Sequence, residues 1–283
     1  MWVREDEWID SLVWQEEEAR EEFPGIRIPL DKEGADFMYS VIAPEPKFRT
    51  QLIYQAAAIF HQAGSDWTMP SRPGWDNSDM CMFTGDYEMM GRIKRAHFEL
   101  AQKLRVKRIV MGECGHAFRS VYDQGNRWLA WKDSPVPVVH AIEFYWELIN
   151  EGKIAPKKVD EVVSYHDAAR LARDMCELEP ARNIIKAMGA DLHEMYLNEK
   201  DNKNPENKAC GSFVRARECG SSIMGQMKPE LSVLLCEKRY TDLLRTDSKI
   251  LVAADPQATE ALRLSIPEDV EYRDLFVMLN ERI

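Results

Sequence analysis

The sequence predicts an α/β fold built as two similar halves, and three observations carry that expectation. Short β-prone runs alternate with longer stretches of helical periodicity, the order of elements expected of layered α/β units. The β-prone runs empty into turns rich in small and polar residues, as at Gly112-Glu113-Cys114-Gly115-His116. The segment from Ile109 to Ala117 also aligns without a gap with the segment from Ile250 to Ala258, each reading as a strand followed by a turn. An internal duplication follows, with halves at 25–155 and 156–283 and an N-terminal helix in 1–24. A site is then expected in a crevice between the halves, where strand-end loops converge.

The first residues, 2–21, place Trp2, Trp8, Ile9, Leu12 and Val13 on one side of an acidic amphipathic helix, which Trp14 partly extends and Pro24-Gly25 ends. Two strands are predicted at Ile26–Leu30 and Phe37–Ile42, either side of the turn-forming Asp31-Lys32-Glu33-Gly34. A helix at about 47–64 stops at Gly64, and a polar, proline-bearing loop runs from Ser65 to Ser78. Glu88–Leu104 repeats apolar residues at helical spacing, and Val106–Met111 is a strand. Helical pattern returns at Ala141–Asn150. In the second half a strand around Val159–Val163 turns into a helix near Leu171. A helix at about 181–188 and a strand at 190–195 follow, then a polar loop at 196–209, a helix at about 228–244 and the strand Lys249–Ala253.

Composition narrows the function classes. A formal net charge of -11 leaves no basic stripe for counterion release, which argues against a nucleic-acid partner and an anionic membrane surface. No apolar run is long enough to span a bilayer, and the N-terminus lacks a basic-then-apolar leader signature, so the expectation is a cytoplasmic chain that is not an integral membrane protein. The six cysteines, Cys81, Cys114, Cys176, Cys210, Cys219 and Cys236, form no Cys-x-x-Cys pair and suit a reducing compartment. Nucleotide-binding glycine loops, His-Glu-x-x-His and Gly-x-Ser-x-Gly are all absent.

The most unusual combination of side chains is the ten-residue stretch Ser164 to Arg173, Ser-Tyr-His-Asp-Ala-Ala-Arg-Leu-Ala-Arg, where a predicted strand turns into a helix. His166 and Asp167 there stand either as groups of a strand-end site or as a helix cap and a backbone-bonded histidine. Cys114 and His116, one residue apart at another strand end, suit a redox thiol or a metal pair, with Arg119 near enough to favour the thiolate. They equally suit an inward-packed thiol on a tight turn. His140 closes the apolar run Val136–Val139 and reads as a core histidine. Gly74-Trp75-Asp76-Asn77, with Trp67, sets aromatic and polar groups on one loop.

Several motifs occur in order: Ile28-Pro29-Leu30-Asp31-Lys32-Glu33-Gly34-Ala35-Asp36, Ala63-Gly64-Ser65-Asp66-Trp67-Thr68, Phe83-Thr84-Gly85-Asp86, Glu113-Cys114-Gly115-His116-Ala117-Phe118-Arg119, His166-Asp167 with Arg170, Glu179-Pro180-Ala181-Arg182 and Cys210-Gly211. Through them the chain resembles the CCG-domain (cysteine-rich domain) family of heterodisulfide-reductase-type iron–sulfur subunits, similar to the B and D subunits of heterodisulfide reductase and to the K subunit of the sulfite-reductase-linked complex. The resemblance implies two pseudo-duplicated CCG-type α/β repeats with a crevice between them. In that family converging thiolates hold an iron–sulfur cluster at which disulfides are reduced or thiols oxidised.

At the ligand positions the chain departs from the pattern. Ala169 stands where a cysteine is expected, Ala209-Cys210-Gly211 replaces Cys-Cys-Gly, and Asp255-Pro256-Gln257-Ala258 replaces Cys-Pro-x-Cys. Cys114 remains at the start of a Cys-x-x-Cys whose end is Ala117. Cys114, Cys210 and Cys219 are the residual ligand candidates for a cluster that is absent or remodelled; Cys176, about two helical turns past Ala169, substitutes poorly.

The resemblance implies a subunit of a heterodisulfide-reductase-like electron-transfer complex in thiol and disulfide metabolism. Cys210 and Cys114 would be its thiols, with His166 and Asp167 as orienting or proton-donating groups. The other reading is a cluster-free paralogue, a structural or docking subunit for a cluster-bearing homologue, with the acidic helix as a contact. A third has Cys210 alone reacting with a sulfur-carrier protein or a small thiol. Partners under the first reading are other subunits of the complex, including a separate ferredoxin-like donor, since the chain begins directly at the amphipathic helix. The expected location is the cytoplasm, or the cytoplasmic face of a membrane complex.

Overall fold

The computed structural model describes residues 5–41, 51–72, 75, 78–195 and 227–283. The chain divides into two compact units, 1–154 and 155–283, each an α/β layer around its own four-stranded parallel sheet.

The first unit opens with α1 (Glu5–Glu22). Its inward stripe is Trp8, Leu12, Gln15 and Ala19, at helical spacing, and the Trp8 indole N–H donates to the carbonyl of Pro70 at 3.0 Å. Val13 and Trp14 point outward, 50% and 53% exposed, so the apolar side is narrower than the sequence suggests. The sheet holds β1 (Phe37–Ser40), β2 (Trp67–Thr68), β3 (Arg108–Met111) and β4 (Val138–His140) in the order β2-β1-β3-β4. Phe37–Tyr39 and Ile109–Met111 are buried throughout because helices cover the parallel sheet, which is why these strands read as continuous apolar runs. Phe37, Phe60 and Phe144 meet edge-on or tilted, with ring centroids 4.6–5.8 Å apart, and fill the space beside β1.

The crossovers are α2 (Gln51–Gln62), then α3 (Ser78–Thr84) and α4 (Tyr87–Lys103). The Asp86 carboxylate caps α4 by accepting from the N–H of Met89. After β3 come α5 (Gly115–Arg119), a π-helical turn at Ser120–Gln124 and α6 (Gly125–Leu129); α7 (Ala141–Asn150) follows β4. The π turn is tied down from α4. The ammonium of Lys94, a buried residue, donates to the carbonyl of Val121 and, at 2.6 Å, to Asn126 Oδ1, and it lies 5.1 Å from the Phe98 ring centre. Burial holds the Lys94 amine down to about 7 despite the opposing charge of Asp123.

The second unit repeats this plan with β5 (Val162–Tyr165), β6 (Asp191–Leu192), β7 (Ile250–Ala253) and β8 (Glu271–Asp274) in the order β6-β5-β7-β8. Its other described elements include a π turn (Arg170–Asp174), α8 (Glu179–Ala187), α9 (Pro229–Leu243), α10 (Pro256–Leu262) and α11 (Leu275–Asn280). Its core includes Cys236, Tyr240, Leu243, Leu251 and Leu262; the Cys236 thiol donates to the carbonyl of Ala261 at 3.1 Å.

Several features depart from expectation, among them short helices at Ser78–Thr84 and Leu275–Asn280 and the strand β4. Ile26–Leu30 is irregular apart from a single bridge between Leu30 and Met69, and β2 lies inside the stretch read as a loop. Such a strand, two residues long, is too short to show any period. The strand β8 was not expected either. Its Glu-Tyr-Arg-Asp lacks apolar alternation because it is a sheet edge, where Arg273 pairs with Glu161 at 2.6 Å and Glu271 at 2.7 Å. The helix expected at about 47–64 is described from Gln51 onward, and residues 42–50 and the polar loop at 196–209 lie outside the described residues.

Gly125 sits where the stem of Lys94 crosses the π turn, and a Cβ there would come within 2.4 Å of Lys94 Cδ and 2.9 Å of the Ser120 carbonyl oxygen. Because the far end of Lys94 is pinned, Gly125→Ala is expected to destabilise the protein by about 1–3 kcal/mol. Urea unfolding measures this, and shortening the stem with Lys94→Ala in the same chain should make the glycine substitution less costly.

Candidate functional site

Parallel sheets of this winding have a defined ligand position. The chain leaves β1 for one edge and returns on its other side to form β3, so the connections diverge between β1 and β3, and in the second unit between β5 and β7. The carboxyl ends of those four strands are Ser40, Met111, Tyr165 and Ala253.

In the first unit the N–H of Gly112 donates to the Ser40 carbonyl at 2.7 Å, carrying the β1–β3 pairing into the turn. Glu113 is buried, and its Oε1 accepts from the hydroxyl of Tyr39 at 2.9 Å and more weakly from that of Tyr145 at 3.5 Å. Cys114 is fully buried at the N-cap of α5. Its carbonyl accepts from the N–H of Phe118 at 3.0 Å, while its side chain makes no capping bond. His116 is half-buried, in edge contact with Phe83 at 5.2 Å. His140 caps α7, its Nδ1 accepting the N–H of Ile142 at 3.2 Å while the Glu143 carboxylate returns to the backbone of His140. Burial keeps the His140 imidazole neutral, with its pKa lowered to about 3.

A second polar group stands at the end of β1. His97, on the inward face of α4, is fully buried with Nε2 2.9 Å from Ser40 Oγ, and its ring stacks at 11° on that of Trp75. Burial, and then the field of Lys94, lower its pKa to about 3. Asp79 is also buried, in the first turn of α3, where its Oδ1 accepts the N–H of Met80 at 2.7 Å. Desolvation pushes its carboxyl up to about 7.

At the second unit's strand ends the polar side chains meet partners within the unit. Asp167 and Arg182 form a two-pronged ion pair, Nη1 to Oδ1 at 2.8 Å and Nη2 to Oδ2 at 2.6 Å, with both residues buried. Arg182 also reaches Glu194 through Nε at 2.5 Å and Nη2 at 2.9 Å, and the Leu178 carbonyl through Nη1 at 2.6 Å, so all five of its N–H groups are used. The guanidinium lies 5.6 Å from the ring centre of Tyr165, and its pKa is raised by Asp167 and Glu194 against the cost of burial. His166 is fully buried, and its Nδ1 accepts from Nε of Arg239 at 3.0 Å. Burial and the charges of Arg239 and Arg173 hold His166 well below its ordinary pKa, so the ring is neutral and protonated at Nε2.

Asp255, where the resemblance implies a thiolate, directs Oδ1 at the N–H of Ala258 at 3.0 Å and starts α10. Ala258 and Ala168 belong to the apolar core around Leu251 and Tyr240, and Ala169 is half-buried beside the π turn.

Cys114 therefore stands at the switch of the first unit, and His166 and Asp167 at that of the second. Cys210, Cys219 and Ala209 lie outside the described residues. Cys176, exposed and with φ of 61°, is disulfide-bonded, so it is not a free thiol as the reducing-compartment reading expects. The sequence reading assigned no role to Ser40, Asp79, Lys94, His97, Arg182 or Arg239. A signal was there for two of them: Lys94 and His97 occupy core positions of α4, in step with Met90 and Ala101, where apolar residues are expected.

These features define two doubly wound α/β units, each with polar residues gathered at the reversal of its sheet. No family model matches the chain. It is 25% identical over 238 residues to the D subunit of dihydromethanophenazine:CoB–CoM heterodisulfide reductase from Methanosarcina acetivorans, covering 82% of this chain and 55% of that protein. The protein of that name from Methanosarcina barkeri is 23% identical, covering 97% of this chain and 63% of its own length. A protein of Chromohalobacter salexigens named "probable membrane-anchored ferredoxin" is 24% identical across 74% of this chain and 29% of its own length. The chain thus spans less than two thirds of the length of these curated relatives. A solved glutamate racemase from Bacillus anthracis superposes with a TM-score of 0.32 at 11% identity, over 88% of this chain and 80% of that one, too low to equate the folds. Among the described residues no helix is long and apolar enough to cross a membrane.

Removing one partner of a buried ion pair strands the other, so Arg182→Met is expected to cost about 3–5 kcal/mol in urea unfolding. Adding Asp167→Leu and Glu194→Leu should recover part of that loss.

For Asp79 the native carboxyl titrates near 7 instead of 3.8, so the folded state holds the extra proton between those values and stability falls as pH rises from about 4 to 7. Asp79→Asn should flatten that fall and add roughly 1–4 kcal/mol at pH 8, read from unfolding curves at several pH values.

Proposed function

We propose that this protein is a subunit of a heterodisulfide-reductase-like assembly acting in thiol and disulfide redox metabolism. The support is the similarity along nearly the whole chain to proteins named as the D subunit of heterodisulfide reductase, combined with two parallel α/β units whose strand ends present Cys114 and His166.

Within that assembly, one observation favours the docking role over catalysis at a cluster in this chain. The described residues at the second unit's ligand positions do not fit an iron–sulfur cluster. Asp255 caps a helix N-terminus, Ala258 packs as a methyl group in the core, Ala169 offers only a half-buried methyl group beside the π turn, and the Nδ1 of His166 is taken by Arg239. Among the described residues of the first unit, Cys114 is the buried thiol at the strand end, and one thiolate does not hold a multi-iron centre. We therefore read the chain as a relative that keeps the architecture and partners of the assembly while electrons pass through other subunits. A ferredoxin-like donor and a cluster-bearing homologue are the partners this implies.

Anaerobic purification followed by iron and acid-labile sulfide assays tests the reading. A colourless protein with less than about one iron per chain is expected, and a brown protein with about four irons would overturn the docking role. Trapping with a thiol alkylator tests the variant in which Cys210 reacts with a sulfur carrier, since that reading requires Cys210 to be labelled first.

A further inference from the structure

Among the described residues, the polar group at the end of β1 keeps donors without partners, and that has a chemical direction. His97 is fully buried and neutral, so one ring nitrogen carries a proton and the other a lone pair. Its Nε2 meets Ser40 Oγ at 2.9 Å, and Nδ1 has no hydrogen-bond partner among the described residues. If Nε2–H donated to Ser40, both the serine hydroxyl proton and the lone pair on Nδ1 would need partners elsewhere. If the Ser40 hydroxyl donates to Nε2, a single orphan remains, the Nδ1–H. The second arrangement is the more stable because each unpaired buried polar group is penalised. Beside it, the indole Nε1 of Trp75 is shielded from solvent and likewise lacks a partner among the described residues, and an indole N–H can only donate. The two rings lie 5.7 Å apart at 11°, which sets the donors in neighbouring, near-parallel planes. One turn back on α4, the amine of Lys94 adds positive potential that His97 registers. Two unanswered donors beside a buried amine, at the reversal of a parallel sheet, call for an acceptor-rich ligand.

We propose that the first unit binds a small oxyanion at the carboxyl end of β1, held by the Nδ1–H of His97 and the Nε1–H of Trp75 with Ser40 fixing the histidine tautomer. This site uses none of the cysteines and does not rest on the redox reading.

The test titrates the full-length protein with acetate and, separately, sulfate, using chloride at matched ionic strength as control. Thermal unfolding and the ring-nitrogen resonances of ¹⁵N-histidine-labelled protein are followed. Acetate or sulfate is expected to raise Tm where chloride does not, and to shift the protonated Nδ1 resonance of His97. Trp75→Phe keeps the stacked ring and removes one donor, so it should raise the half-saturating concentration about tenfold. A response to acetate alone would mark a planar carboxylate site, and a response to sulfate alone a tetrahedral one. The proposal fails if neither anion acts beyond chloride, or if His97 resonances stay unmoved while Tm rises. It fails equally if Trp75→Phe binds as wild type does. Should that variant not fold, the wild-type histidine resonances decide alone.

Discussion

Parallel strand pairing is the constraint from which the rest of this molecule follows. Strands that run the same way cannot be joined by a tight turn, so each connection must climb back across the sheet, and helices cover both faces. The order β2-β1-β3-β4, repeated as β6-β5-β7-β8, then forces the chain to reverse its winding between the two central strands of each sheet. Ser40, Cys114, His166 and Asp255 owe their positions to that reversal more than to any local preference of their own.

The two units answer the same geometry in different ways. In the second, each strand-end group closes on a neighbour in the unit: Asp167 on Arg182, His166 on Arg239, Asp255 on the first turn of α10. Charges this deeply buried are tolerable only because hydrogen bonds take up their donors and acceptors, and Arg182 does so with all five of its N–H groups. In the first unit Glu113 is answered by two tyrosines, whereas the His97–Trp75 pair retains donors that nothing among the described residues meets. The buried amine of Lys94, held against the π turn by a carbonyl and an amide oxygen, lies one turn from His97 on α4 and its field is felt there.

The chain is similar to heterodisulfide reductase D subunits, and at the positions where the resemblance implies thiolates its described side chains are accounted for by packing and capping. Ala258 is covered in the core with Leu251 and Leu262. Asp255 is accommodated by a different device, since a carboxylate at a helix start satisfies N–H groups that would otherwise lack partners. The pairing of a parallel sheet does not itself depend on which side chains stand at its strand ends.

Periodicity and turn chemistry in the sequence by themselves determined the α/β class and the elements with strong patterns, α4, β3, α7 and β7 among them. They also located the strand ends at Cys114 and His166. Short or edge strands escaped, because two residues at Trp67–Thr68 carry no period and Glu271–Asp274 is polar where a sheet ends. What only the tertiary structure decided is which polar side chains meet. Asp167 finds Arg182 fifteen residues on, His166 finds Arg239 seventy-three residues on, and Ser40 finds His97 fifty-seven residues on. Partners so far apart in sequence leave no trace in local spacing; they are brought together by burial, where an unpaired polar group is costly enough to select its neighbour.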